Sequence, residues 1–167
     1  MTSWTNFQLD APDLAERAQT ILASTTNAVL GTLRADGSPR LSGIDPSFVE
    51  GEWWIGSMVG ARKGADLRRD PRLALHAIPW ESRRPKEGHD PGDGDAKLTG
   101  RAELVTDPEA LNRVFGHTAT EAGSEPPTGV DLFRIDVESV VTVHVVDDQL
   151  VIDRWSTAEG RRTVRRT

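Results

Sequence analysis

Two adjacent cations, Arg62 and Lys63, fall in the first turn of a helix that the pattern of Ala61 to Arg69 predicts. That end of a helix carries the positive half of the macrodipole, and each exposed cation there costs about 0.3–1 kcal/mol. Asp66, one turn later, offsets only part of it. A bound anion reverses the sign, because unpaired first-turn N–H groups and two cations then converge on one negative charge. Ser57 ends the preceding predicted strand and Gly60 lends freedom just before the helix, so a hydroxyl and a compliant backbone join the set. The chemistry these residues suit is phosphate binding. A tolerated charged helix face accounts for Arg62 and Lys63 equally well at this level. Arg68 and Arg69 sit in the last turn, where cations are favoured in any case.

The composition removes other chemistries. With no cysteine there is no disulfide framework, thiolate metal site or thiol redox couple, and electron transfer has to be done by a bound cofactor. His76, His89, His117 and His144 stand far apart without metal-ligand spacing, so no metal is expected. Ser24, Ser42, Ser57 and Ser139 lack the context of a nucleophile elbow. A formal net charge of -6 argues against nucleic acid as a partner, although Arg161, Arg162, Arg165 and Arg166 crowd the end. Residues from about 158 to 167 read as a flexible basic tail. Met1 to Asp10 has no leader pattern and no apolar run reaches membrane-spanning length, so the expectation is a cytoplasmic protein without a membrane partner.

The elements that position these residues are legible from spacing. Pro12 to Ser24 places Leu14, Ala18, Ile21 and Leu22 at helical intervals. Ala28 to Leu33, a turn at Ala35–Ser38, and Pro39 to Val49 form a hairpin, and Trp53 to Ser57 a third strand with one indole on each face. Pro71 ends the Ala61–Arg69 helix, Leu73 to Ile78 is a fourth strand, and Ala96 to Val105 a fifth. In the fifth, Leu98, Gly100, Ala102 and Leu104 share one face, and Lys97, Thr99, Arg101 and Glu103 the other. Trp80 to Asp95, dense in Pro, Gly and charge, reads as a surface loop with little apolar area to bury. Asp107 caps a helix that Pro108 opens, with Leu111, Val114 and Phe115 inward. Val130 to Val137, Val140 to Val146 and Leu150 to Trp155 are β-rich. The order implies one domain over residues 1–167, mainly β (α+β).

Gly56 to Lys63, followed by Asp66 to Leu75, resembles the phosphate-binding segment of the pyridoxamine 5'-phosphate oxidase-like FMN-binding split-barrel family. In that family a small hydroxyl residue ends the third strand, an Arg-Lys pair opens the helix, and Asn/Asp-Pro-Arg leads into the next strand. Leu33 to Arg40 is similar to its Asp-Gly-x-Pro hairpin turn. The resemblance implies an antiparallel split β-barrel of about six strands with flanking helices, working as a homodimer on a small-molecule substrate. It implies FMN as cofactor, with Arg40, Leu41, Ser42 and Gly43 facing it and Gly56, Ser57, Arg62 and Lys63 around its phosphate. Lys97 on the polar face of the fifth strand, and Trp155 across a dimer interface, are further implied contacts. The Arg-x-His segment of the vitamin-processing members is absent, which argues against pyridoxamine phosphate oxidation. Small members of the same fold bind a deazaflavin coenzyme instead, and others bind haem or nothing. The resemblance nominates no catalytic acid or base.

Overall fold

The computed structural model describes residues 4–24, 27–77, 94–122 and 129–167. The predicted loop at residues 80–95 lies outside them except for its last two residues. Among the described residues are four helices, α1 (Trp4–Asp10), α2 (Pro12–Ser24), α3 (Arg62–Arg69) and α4 (Pro108–Ala122). The strands are β1 (Ala28–Leu33), β2 (Pro39–Ile44), β3 (Pro46–Val49), β4 (Glu52–Met58), β5 (Arg72–Ala77), β6 (Asp95–Val105), β7 (Val130–Val146), β8 (Gln149–Ser156) and β9 (Gly160–Arg166).

All pairings are antiparallel, and the main path runs β2-β1-β5-β6-β7-β4-β3. Only Asp45 separates β2 from β3, so the two ends of this path are halves of one bent strand. The sheet thereby closes into a barrel, which removes its open edges. The split lies along β7. Residues 130–134 of β7 pair with β4, and residues 139–146 pair with β8 instead.

The sequence pattern divides β7 in two at Glu138, but the strand is continuous. A bulge absorbs Glu138, because the register shifts between Thr99 and Gly100 of β6. Gly100 permits it: a Cβ there would lie 2.2 Å from the Asp136 carbonyl oxygen. The basic end of the chain, expected as a flexible tail, is instead strand β9, paired along its whole length with β8. Its backbone gains a ladder partner even though none of its side chains is buried.

One core fills the barrel and extends under α1 and α2, joining Trp4, Phe7, Leu14, Ile21 and Leu22 to Leu30, Leu75, Leu98 and Phe133. A smaller cluster of Val49, Trp54, Val114 and Leu132 lies beneath α4 on the other side of β4. Trp53 and Trp54 thus anchor opposite faces of one strand. Asp107 caps α4, accepting from the Ala110 N–H at 2.9 Å. Helix α1, without a counterpart in the sequence reading, buries Trp4 and Phe7 in edge-to-face contact, centroids 5.0 Å apart.

Candidate functional site

Helix α3 builds the site. Its first turn holds no acidic residue, and Ala61 at the N-cap makes no side-chain cap hydrogen bond. Its first helical bond runs from the Ala65 N–H to the Ala61 carbonyl, so the N–H groups of Arg62, Lys63 and Gly64 have no partner within the helix. Arg62 is exposed and makes no hydrogen bond or ion pair with any described residue.

Two buried carboxylates clamp the helix to the barrel. Asp66 accepts from Arg40 Nε at 2.6 Å, Thr32 Oγ1 at 3.0 Å and Arg69 at 3.3 Å. Burial pushes its carboxyl up, but these donors together outweigh it and hold Asp66 below the ordinary carboxylate range. Asp131 on β7 accepts both Nε and Nη2 of Arg68, and the bidentate pair holds the guanidinium charged more firmly still. Gly64 allows the close approach, because a Cβ there would stand 2.8 Å from Ser57 Oγ and 3.3 Å from an Asp131 oxygen.

A surface pocket of about 460 Å3 opens between the β1–β2 turn and α3. Arg34, Arg40, Arg62 and Arg69 line it together with Asp36 and Asp66. Four guanidinium groups against two carboxylates leave two positive charges in surplus, the charge of one phosphate dianion. Asp36 is held low first by the Ser38 hydroxyl and then by the Ser38 N–H. Arg62 is therefore the unengaged cation, and it stands at the end of the helix whose N–H groups are also unengaged. These residues fit a phosphate.

Beside the first turn of α3, a track of strand residues crosses the outside of the barrel from Gly43. Lys63 Nζ donates to the Gly43 carbonyl at 3.1 Å. Across the strands from Gly43 lie Val29, His76, Lys97 and Val141, and the neighbouring row is Leu41, Gly31, Ala74, Thr99 and Ser139. Most of these side chains are small, and Val29 and Leu41 are 41% and 75% exposed. A planar apolar ring joined to the phosphate would lie along this surface.

The structure brings some of the predicted residues together and scatters others. Arg40 and Arg62 share the pocket, and Lys63 touches Gly43 through its carbonyl. Strand alternation sends Arg40 and Ser42 toward α3 but Leu41 and Gly43 outward, so these four side chains face two surfaces. Lys97 is on the outer face and paired with Asp95 at 2.6 Å. Gly56 faces the opposite way, toward α4, where a Cβ would meet Phe115 at 3.3 Å. Ser57 is buried beneath Gly64, its hydroxyl unpartnered, and does not line the pocket. Trp155 is a core residue, 2% exposed and packed on Phe7 with centroids 4.7 Å apart. An indole so placed presents nothing to a surface ligand. Sequence reasoning missed Arg34, Asp131, His76 with Asp95, and the structural role of Asp66. The partners of Asp131, His76 and Asp66 lie 63, 19 and 26 residues away, where no local signal marks them.

A family model described as pyridoxamine 5'-phosphate oxidase matches residues 14–144 of the chain. None of the curated proteins matches it. Among solved structures, a conserved hypothetical protein from Mycobacterium tuberculosis is similar at 24% identity, with 75% of this chain and 81% of that one covered and a TM-score of 0.55. An F420 reductase is similar at 16% identity, covering 73% and 94%, with a TM-score of 0.56. The haem storage protein HutZ from Vibrio cholerae is similar at 18% identity, covering 77% and 90%, with a TM-score of 0.56. At such identities these likenesses concern the fold.

Proposed function

The chain belongs to the pyridoxamine 5'-phosphate oxidase family, and from that premise we propose that it is an FMN-dependent oxidoreductase working as a cytoplasmic homodimer on a small molecule. The observation that carries the reading is Arg62, exposed and unengaged beside the open N–H groups of α3 in a pocket with two surplus positive charges. Arg62 and the first-turn N–H groups hold the phosphate, Arg34 and Arg40 border it, and Lys63 ties the helix to the strand under the cofactor. When bound, the flavin ring supplies hydride or electron transfer, and the protein supplies position and charge. Among the described residues, no helix is long and apolar enough to cross a membrane.

The homodimer reading rests on the outer track. Val29 and Leu41 are exposed beside it, and Val145, Leu150 and Val164 on the β7–β8–β9 arm are 60%, 38% and 43% exposed. By register Val145 opposes Leu150, and Val164 opposes Ile152, so the arm carries a contiguous apolar face. A second copy laid on it buries this surface and encloses a ring that one barrel leaves open.

A deazaflavin-dependent reductase is the second reading, supported by the likeness to an F420 reductase. A non-catalytic flavin or haem carrier is the alternative outside enzymes, supported by the likeness to HutZ. The test is the visible spectrum of freshly purified protein, followed by titration with FMN, a deazaflavin and haem. FMN binding at micromolar or tighter affinity supports the reading. Exclusive binding of haem, or of none of the three, overturns it.

A further inference from the structure

On the outer face of the barrel one carboxylate serves two basic side chains. Asp95 Oδ2 accepts from Lys97 Nζ at 2.6 Å and lies 2.7 Å from His76 Nε2. His76 and Lys97 are opposed on β5 and β6, and Asp95 is two residues before Lys97, so all three project to the same side. Each remains in reach of solvent, with His76, Asp95 and Lys97 side chains 32%, 22% and 41% exposed. Asp95 Oδ1 is buried and has no hydrogen-bond partner among the described residues.

With His76 neutral, Asp95 and Lys97 cancel, and a proton on His76 leaves one positive charge unbalanced. The described neighbours offer no second carboxylate. Beside His76 on β1 is Val29, beyond Lys97 on β7 is Val141, and beyond Val29 on β2 is Gly43, whose carbonyl takes Lys63. On β5 itself Arg72 is engaged by Asp70. An added negative charge over the trio would balance that positive charge. With Nε2–H directed at the Asp95 carboxylate, Nδ1 is an acceptor when the ring is neutral and a donor when it is protonated.

The trio lies on the outer row that starts at Gly43, whose carbonyl takes Lys63 from the first turn of α3. Two strand spacings, about 10 Å, separate Gly43 from His76.

We propose that His76, oriented by Asp95, is the proton-transfer residue at the ring end of this site. The inference rests on the flavin reading above. A flavin bound here would supply the hydride, taken from a reduced nicotinamide, and His76 would take one proton from solvent as the added negative charge comes to lie over the trio. His76 Nδ1–H would then give that proton to one atom of a polarised double bond in the substrate whose other atom takes the hydride, so that the π bond breaks, two bonds to hydrogen form, the substrate gains two electrons and His76 is left neutral. Asp95 and Lys97 are positioning residues: the carboxylate fixes the imidazole and the ammonium fixes the carboxylate.

The test is the pH dependence of the midpoint potential of FMN bound to wild type, His76→Gln and Asp95→Asn, measured spectroelectrochemically. For a two-electron couple, each proton taken up on reduction contributes about 30 mV per pH unit. Wild type should show a pH interval with one more proton of slope than His76→Gln, about 60 against 30 mV per unit. Asp95→Asn should move that interval to lower pH, because the carboxylate that favours the protonated ring is lost in both redox states. Equal slopes in wild type and His76→Gln, with FMN bound to both, overturn the inference and leave the flavin reading intact. Failure of wild type to bind FMN overturns both.

Discussion

Replacing Arg62 with alanine separates a phosphate ligand from a decorated helix, because both readings leave the ligand-free protein as stable or slightly more so and only the first weakens the complex. Arg62 has no partner in the described structure, so its removal breaks no bond. It also lifts a cation from the positive end of α3, which stabilises the ligand-free protein by about 0.3–1 kcal/mol. In the complex the same change deletes one charge-assisted hydrogen bond worth about 1.5–3 kcal/mol, a ten- to hundredfold loss of FMN affinity. It also halves the surplus charge of the pocket from two to one, so FMN affinity should become less sensitive to salt. Lys63→Ala behaves differently, since it removes the bond to the Gly43 carbonyl that holds α3 on β2. The ligand-free Lys63→Ala protein should lose up to about 1 kcal/mol, less its solvent screening, in addition to weaker FMN binding. The assay is FMN titration by fluorescence quenching beside thermal melts of the ligand-free forms. Wild-type affinity in Arg62→Ala, or a ligand-free melting point several degrees lower, refutes the reasoning.

Asp66→Ala strips Arg40, Thr32 and Arg69 of their shared acceptor and should cost about 3 kcal/mol in denaturant unfolding. Because Asp66 is held low in the folded state, its contribution is present above the unfolded carboxylate pKa of about 3.9 and is lost as pH falls below it. Asp66→Asn should accordingly flatten the acid limb of the stability profile, and an unchanged limb counts against the clamp. Trp155→Ala should destabilise by about 3–5 kcal/mol through the cavity it leaves, whereas Trp155→Phe should fold and bind FMN as wild type does. Gly64→Ala should cost about 1–3 kcal/mol by overpacking against Ser57 Oγ. Ser57→Ala should recover part of it in the double variant, and strict additivity in calorimetry would argue that the two do not meet. Leu41→Glu places a charge on the apolar outer face and should shift a sedimentation profile from dimer to monomer, with FMN affinity falling alongside.

What could be read along the chain is what adjacent residues decide. Pro12 to Ser24 carries its buried stripe at helical spacing, Asp107 caps α4 from the position its side chain reaches, and Lys97 and Thr99 alternate outward from Leu98 and Gly100. The Arg62–Lys63 pair is visible because its conflict with the helix dipole is local. Tertiary structure decided everything that depends on a partner distant in sequence. Asp66 finds Arg40 26 residues away, and Asp131 finds Arg68 63 residues away. β9 looks like a solvated tail because all its side chains are exposed, and only the hydrogen-bonding edge of β8 makes it a strand. Ser57 and Trp155 have the residue types of ligand contacts, yet packing buries one under Gly64 and the other against Phe7. Residue type fixes what a side chain is able to do. Which face of a closed barrel it occupies is set by register and by the contacts between layers, and neither is a property of any short stretch of sequence.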